Sequence, residues 1–241
     1  MLPLNDINPV RRTPVVTYGL IALNLLVFFW EVTLSQGALS EFFLRFAIVP
    51  SDVIRNPLSL ETFMDFVRSM FLHGGWAHLL GNMLYLWLFG DNIEDRMGIP
   101  LFLGVYFISG FAAGIAQILV SPVSTVPMIG ASGAIAGILG SYLILFPGVR
   151  VRGIIPLGWI IRSVEWPAWT VLGLWFVLQL FNGAVSIGVE SGATGGVAFF
   201  AHIGGFVVGM VLTGIFMLLV PQPPRQQRRD VLYERARRYR F

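Results

Sequence analysis

The sequence contains no cysteine and no lysine, and charged residues make up only 12% of its 241 positions. Without cysteine, the chain can form no disulfide, no thiolate zinc site and no cysteine nucleophile. So few charges beside 56% hydrophobic residues lie outside the range of soluble domains and predict a polytopic membrane protein. No cleavable signal peptide is expected, because the first apolar run is long enough to span a bilayer and lacks a small-residue cleavage site.

Six apolar segments are predicted to span the membrane. The second has only about fifteen residues, nearer to the length of a re-entrant helix, whereas a spanning helix needs roughly 17–25. The six segments are 15–32, 76–90, 101–120, 128–146, 167–181 and 197–220. Segment 33–70 is predicted to lie along the membrane interface, and the glycine-rich loop 182–196 to be mobile. The prediction is an all-α six-helix bundle at 15–220, between a polar arm at 1–14 and an arginine-rich tail at 221–241.

The arginines indicate how such a bundle is oriented. All sixteen basic residues are arginines, and seven of them lie in the last seventeen positions. Six spans put both termini on one side, with thirteen arginines there and three on the other side. Because positive residues accumulate on the cytoplasmic side, both termini are predicted to be cytoplasmic. A basic tail can bind nucleic acid, but beside apolar spans it is better interpreted as an anchor on anionic lipid.

Polar residues occur in the first turns of three predicted spans that all run inward from the outer face. His78 and Asn82 share one face of the second span, Ser132 lies in the fourth, and His202 lies in the sixth. At 1.5 Å per residue, all four lie roughly 5–10 Å below the outer edge of the apolar layer. Since ionisable groups inside a membrane are costly and usually face a cavity or a partner, we expect them to meet at one site.

The spacing of glycines suggests how two of these residues come together. Gly205 and Gly209 follow His202 on one face of the sixth span and allow close approach to a neighbouring helix. If that neighbour is the fourth span, His202 can reach Ser132 and form a pair of nucleophile and base. No acidic residue lies at this depth in the three spans, so a dyad without a carboxylate is predicted, with His78 and Asn82 as hydrogen-bond donors for an oxyanion.

Each of these residues also has a non-catalytic interpretation. Ser132 can serve helix packing, and His202 and Asn82 can be hydrogen-bonding contacts between helices. A metal site at His78 and His202 would lack a carboxylate or thiolate, so no metal is predicted. His73 lies in a glycine-rich turn outside the apolar run and is interpreted as non-catalytic.

The polar motifs resemble those of the rhomboid family of intramembrane serine proteases. The serine motif is matched by 130–134, the histidine motif by 201–205 and the His-xxx-Asn motif by 78–82; Gly90, Glu94, Arg96 and Gly98 match the signature that closes the second helix. The resemblance covers residues from about 11 to 220 and implies the six-helix prokaryotic form. Two features differ from some members: Ala136 stands where they have a tyrosine, and no Trp-Arg pair occurs between residues 38 and 70.

The resemblance implies specific roles for these residues. Ser132 would be the nucleophile and His202 the general base, while Asn82, His78 and the Ser132 N–H would hold the oxyanion. It implies no cofactor, transmembrane proteins as substrates, and a place in a prokaryotic plasma membrane with the active site open to the outer face. Two other functions are possible interpretations of the sequence. A rhomboid-like scaffold without activity is disfavoured by the intact Ser132 and His202. A transporter is disfavoured because the sequence lacks repeated broken spans and a buried acid.

Overall fold

The computed structural model describes residues 1–157, 160–187 and 197–220. These ranges contain nine helices and three strands. In chain order they are β1 (Leu2–Asp6), α1 (Val15–Glu31), α2 (Gln36–Phe46), α3 (Pro50–Arg55), α4 (Leu60–Ser69), α5 (Trp76–Met97), α6 (Ile99–Val120), α7 (Ser132–Leu145), β2 (Arg150–Leu157), β3 (Ile160–Pro167), α8 (Ala168–Ser186) and α9 (Phe199–Leu219). The predicted tail at 221–241 lies outside the described residues.

Among the described residues, three helices are long and apolar enough to cross a membrane: α6, α8 and α9. Two further apolar helices are shorter, α1 with 17 residues and α7 with 14. Helix α5 has 22 residues, but its last two turns carry four charged side chains. Length and composition therefore support three of the six predicted spans, in a chain that is mostly helical.

Helix α7 forms the centre of the bundle. All of its residues from Gly133 to Tyr142 are buried, so the helix has neighbours on every side. It packs against α5, α6, α8 and α9. Glycines and alanines on α7 allow this crowding, because small side chains let the backbones of neighbouring helices approach closely.

The closest approach in the bundle is that between α7 and α9. A Cβ atom added at Gly205 would overlap the carbonyl oxygen of Gly133, and one added at Gly209 would overlap that of Gly137. The Ser141 hydroxyl lies at the same interface, within hydrogen-bond distance of the Gly137 carbonyl oxygen of α7, at 2.9 Å, and of the Gly209 carbonyl oxygen of α9, at 3.2 Å. The two glycines singled out in the sequence therefore lie at the contact with the helix that begins at Ser132.

Helix α5 extends beyond the predicted end at Gly90, and Glu94 on this extension joins it to α1. The N-terminus of α1 has no capping side chain of its own. The Glu94 carboxylate accepts the backbone N–H groups of Val16 at 3.0 Å and Thr17 at 2.7 Å. A carboxylate satisfies the free N–H groups there and is stabilised by the helix dipole. The charges after the apolar run are thus part of α5, which ends at Met97 and is followed by Gly98 with a φ of 77°.

The other predicted boundaries also shift. Helix α7 begins at Ser132 rather than at Met128, because the residues before Ser132 are held in an extended segment. Helix α8 continues to Ser186, so the prediction of a mobile loop is wrong for 182–186, while 188–196 lie outside the described residues. The sequence offers no proline that would end the helix earlier.

The segment predicted to lie on the membrane interface folds into α2, α3 and α4. The hydroxyls of Ser35 and Ser59 cap α2 and α4 by accepting N–H groups of their first turns. Leu58 and Leu60, at the start of α4, are 98% and 78% exposed. An interfacial position, with these leucines in contact with lipid, remains a prediction.

The strands correct the all-α prediction. They form one antiparallel sheet in the order β1, β2, β3, and β1 belongs to the predicted polar arm. β-Branched residues favour this structure in β2 and β3, where the side chains of Arg152 and Glu165 also pair across the strands at 2.8 Å. The arm is therefore held against the bundle over Leu2–Asp6.

Asp6, at the end of β1, attaches the sheet to the helices. Its carboxylate accepts a hydrogen bond from the buried Tyr142 hydroxyl of α7 and another from the Asn92 side chain of α5 at 3.2 Å. Burial raises the pKa of Asp6 to about 7, although the Tyr142 hydrogen bond acts in the opposite direction. The neighbouring Asp91 carboxylate adds to the increase.

This raised pKa predicts a pH-dependent stability. The folded state binds the Asp6 proton more tightly than the unfolded chain, so the stabilisation is present below about pH 4 and lost as pH rises through about 7. The effect is on the order of 4 kcal/mol at most. We expect Asp6→Asn to reduce the fall in thermal midpoint between pH 4 and 8 in detergent, and the exposed Asp52→Asn to leave it unchanged. An equal fall in the thermal midpoint from pH 4 to pH 8 for the parent and for Asp6→Asn would contradict this prediction.

Candidate active site

Ser132 is the first residue of α7, at the point where an extended segment turns into the helix. Gly130 has a φ of 119°, which a residue with a side chain rarely adopts, and this stops the helix from starting earlier. The segment is held by two backbone hydrogen bonds, from Met128 N–H to the Ile48 carbonyl at 2.7 Å and from Gly130 N–H to the Ser69 carbonyl at 2.8 Å. The prediction that Ser132 lies four residues inside a helix is therefore wrong.

This position matters for the chemistry available to Ser132. The N–H groups of a helix's first turn have no acceptor within the helix, and the helix dipole makes this end favourable for negative charge. A serine at the first position therefore has its hydroxyl beside backbone donors and a positive potential. A serine deeper in α7 would have had neither.

His202 contacts Ser132 directly. It lies in the first turn of α9, and its Nε2 is 2.8 Å from the Ser132 Oγ. The contact becomes possible because Gly205, three residues later, lets α9 approach the backbone of α7. Both side chains are only partly buried, so the pair borders open space.

Two residues of α8 contact the other side of the imidazole, and neither of them was predicted from the sequence. The Gln179 Oε1 lies 2.8 Å from the His202 Nδ1, and the ring of Trp175 lies 5.9 Å from the imidazole between centroids, at 35°. Trp175 and Gln179 are four residues apart and share one helix face. A lone amide in the apolar segment 167–181 was the available signal, since polar groups within a membrane rarely lack a partner.

His78 and Asn82 both lie against the backbone that leads into Ser132. A Cβ atom added at Gly130 would lie 2.5 Å from the His78 Nε2 and 3.6 Å from the Asn82 Nδ2. Both residues therefore stand beside the N-terminus of α7, as their i, i+4 spacing on the second span suggested. Glycine at position 130 leaves the room that these side chains occupy.

His73 lies buried behind Asn82. Its Nε2 is 3.0 Å from the Asn82 Nδ2, and its ring centroid is 5.1 Å from that of His78. Burial, together with His78, lowers the pKa of His73 to about 4, so the ring is neutral and can accept the amide hydrogen. The backbone N–H of His73 donates to the buried Glu31 carboxylate at 3.3 Å. These contacts place His73 as a support for Asn82, and its interpretation as non-catalytic remains a prediction.

The four polar residues line one cavity of about 670 Å³. The cavity extends between α5, α7, α8 and α9 and is also bordered by Tyr85 and Trp175. In the described part of the chain, no three histidine or acidic side chains are arranged to hold a metal ion. The arrangement offers a hydroxyl, an imidazole and amide donors around a space large enough for an extended peptide segment.

Comparison with known proteins is consistent with this geometry. A sequence model of the Rhomboid domain matches residues 60–219, which is more than half of the chain. The chain belongs to the rhomboid family. The matched region of this rhomboid protein includes α4 to α9, and with them His78, Asn82, Ser132 and His202. Members of the rhomboid family are generally membrane-embedded serine proteases.

Individual rhomboid proteins are also similar to this chain, at modest sequence identity. The chain is 26% identical over 219 residues to Rhomboid protein 1, mitochondrial, of Saccharomyces cerevisiae, covering 88% of this chain and 56% of that protein. It is 38% identical over 152 residues to RHOMBOID-like protein 4 of Arabidopsis thaliana, covering 62% and 33%. It is 34% identical over 130 residues to Rhomboid protease GluP of Bacillus subtilis, covering 54% and 24%. The chain thus spans about half or less of the length of these relatives.

Proposed function

We propose that this rhomboid protein is an intramembrane serine endopeptidase that cleaves peptide bonds in or near the transmembrane segments of other membrane proteins. The observation that carries the proposal is the 2.8 Å contact between the Ser132 Oγ and the His202 Nε2 at the N-terminus of α7. A hydroxyl within hydrogen-bond reach of an imidazole is the arrangement of an activated nucleophile. The proposal needs neither a metal nor a cofactor.

The reaction follows from the positions of these two side chains. The Ser132 Oγ attacks the carbonyl carbon of the substrate peptide while the His202 Nε2 takes the hydroxyl proton. His202 then gives this proton to the leaving amine, and an ester between Ser132 and the substrate remains. Water, deprotonated by the same imidazole, hydrolyses the ester and restores the serine.

Hydrogen-bond donors for the oxyanion that forms in each step lie at the N-terminus of α7. The Ser132 N–H belongs to the first turn of α7, where N–H groups have no acceptor within the helix and the helix dipole favours negative charge. His78 and Asn82 lie beside the same backbone and supply side-chain donors. Preorganised donors of this kind are usually the largest contribution to catalysis of acyl transfer.

The membrane arrangement completes the proposal. α1, α5 and α7 would cross the bilayer together with α6, α8 and α9, because a short central helix such as α7 is shielded from lipid by its neighbours. The arginine distribution, thirteen against three, supports cytoplasmic termini in a prokaryotic plasma membrane. The cavity would then open to the outer face, where water enters. Helix α8, whose outer surface is apolar, would face the substrate helix in the lipid.

The nucleophile can be tested without knowing the substrate. We expect a fluorophosphonate to label the full-length protein in liposomes and not to label Ser132→Ala, because only an activated serine hydroxyl displaces fluoride from phosphorus. In the same liposomes, the parent is expected to cleave a transmembrane reporter protein. Labelling of Ser132→Ala as strong as that of the parent would refute the assignment of Ser132.

If the protein is a rhomboid-like scaffold without activity, these experiments should give different results. Such a protein would bind the transmembrane reporter, as measured by co-purification in mild detergent, but would neither cleave it nor react with the fluorophosphonate. This result would remove the proposed endopeptidase activity and leave membership of the rhomboid family intact.

A further inference from the structure

We propose that Gln179 is a positioning residue, which fixes the tautomer and the ring orientation of His202 and so replaces the carboxylate that this site lacks. The proposal rests on the proposed peptidase function for its kinetic consequences. Its structural part, the state of the His202 ring, can be measured separately. Neither the sequence motifs nor the family comparison assigns a role to Gln179.

The geometry defines which nitrogen of His202 carries the proton. The Gln179 Oε1 is a carbonyl oxygen, and a carbonyl oxygen only accepts hydrogen bonds. Its distance of 2.8 Å from the His202 Nδ1 therefore requires a proton on Nδ1. The neutral ring then has its lone pair on Nε2, which lies 2.8 Å from the Ser132 Oγ. Only this tautomer can accept the serine proton.

The opposite orientation of the amide would disable the site. If the Gln179 NH₂ faced the Nδ1, the proton of the neutral ring would be on Nε2 and would point at the serine oxygen. Ser132 would then have no base. The amide of Gln179 thus decides between an active and an inactive arrangement of the same two residues, which is the role of a positioning group.

A neutral acceptor suits this environment better than a carboxylate. Gln179 is only 9% exposed and lies on a helix that is apolar on both sides of it. An ionised carboxylate in that place would carry a large desolvation cost. A glutamine sets the tautomer without that cost, although it adds no full negative charge to stabilise the imidazolium.

Trp175 completes the support on the same face of α8. Its ring lies beside both the imidazole of His202, at 5.9 Å, and the ring of Phe206, at 5.8 Å. Since Ala136 offers no ring on the α7 side, the imidazole is held from α8 by one hydrogen bond and one aromatic contact. Gln179 is the only one of these neighbours that can select a tautomer.

The test compares three single substitutions in the full-length protein. Gln179→Leu keeps the approximate volume but removes the acceptor, and Gln179→Glu keeps an acceptor oxygen. Val211→Ala, on the exposed side of α9, is the control for a small change on a membrane helix away from the proposed substrate contact. Each protein is reconstituted with a transmembrane reporter, and kcat and KM are measured separately. Nitrogen NMR of protein labelled at its three histidines reports which ring nitrogen of His202 is protonated.

We expect Gln179→Leu to lower kcat at least about 10-fold with little change in KM, because the substitution affects the base and not substrate binding. The Nδ1–H signal of His202, assigned with His202→Ala, is expected in the parent, in Gln179→Glu and in Val211→Ala. In Gln179→Leu it should be reduced in favour of Nε2–H. Gln179→Glu should keep kcat well above that of Gln179→Leu.

Two outcomes would overturn the proposal. One is a Gln179→Leu protein with the parental kcat and an unchanged Nδ1–H signal. The other, where Gln179→Leu does not fold, is a folded Gln179→Glu protein that has lost both the signal and its activity. If the parent itself cleaves nothing, the peptidase function fails, and the NMR comparison alone then decides the role of Gln179.

Discussion

Replacing Ser132 or His202 by alanine is expected to lower the cleavage rate of a transmembrane reporter by about 10⁴-fold or more. Without the hydroxyl no acyl ester can form, and without the imidazole the hydroxyl keeps its proton. The two side chains act as a unit across their 2.8 Å contact. The double variant is therefore expected to be no slower than the worse of the single variants, which is the non-additivity that defines a dyad.

This result is measured as the initial rate of reporter cleavage in liposomes, with the protein amount determined independently. Ser163→Ala is a matched control, because Ser163 is exposed on β3 and away from the cavity. It is expected to cleave at the parental rate. Additive losses in the double variant, or parental cleavage by Ser132→Ala, would show that the two residues do not form the catalytic pair.

Adding a single methyl group at Gly209 is expected to destabilise the bundle by about 3 kcal/mol or more. The Cβ of Gly209→Ala would overlap the carbonyl oxygen of Gly137, and this obstacle is backbone, which cannot turn aside as a side chain can. Helices α7 and α9 would have to separate. Because His202 and Ser132 lie on these two helices, their contact would open as well.

The same helix offers a matched control. Gly214 also lies on α9, but a Cβ atom added there meets nothing within 4 Å. Gly214→Ala is expected to be neutral or to stabilise the protein by up to about 1 kcal/mol, because alanine favours a helix over glycine. The measurement is the midpoint of thermal unfolding in detergent. Equal midpoints for the two variants would contradict the proposed role of close packing at Gly209.

Much of the candidate site could be predicted from the chain alone. The polar residues are rare within apolar segments, so His78, Ser132 and His202 stood out by composition. Their similar distance from the start of three segments placed them at one level. The pair Gly205 and Gly209 indicated a close helix contact, and this contact lies in the structure where α9 meets α7.

The predicted helix boundaries that proved wrong share one cause, which is contact between distant parts of the chain. Ser132 was expected inside a helix because the residues before it are apolar, whereas hydrogen bonds from Met128 to Ile48, before α3, and from Gly130 to Ser69, at the end of α4, hold them extended. Glu94 was expected beyond the end of its helix, but it lies within α5 and caps α1. In each case a distant partner outweighs the local preference.

The sequence by itself determined that this is a membrane protein of the rhomboid family, and it predicted which polar residues lie together at one level. These properties depend on composition and on spacing along single helices, both of which are local. Only the tertiary structure decided that Ser132 opens α7, that Gln179 and Trp175 hold His202, and that Asp6 ties a sheet to the bundle. Each of these depends on a partner far along the chain, brought near by helix packing that hydropathy does not encode.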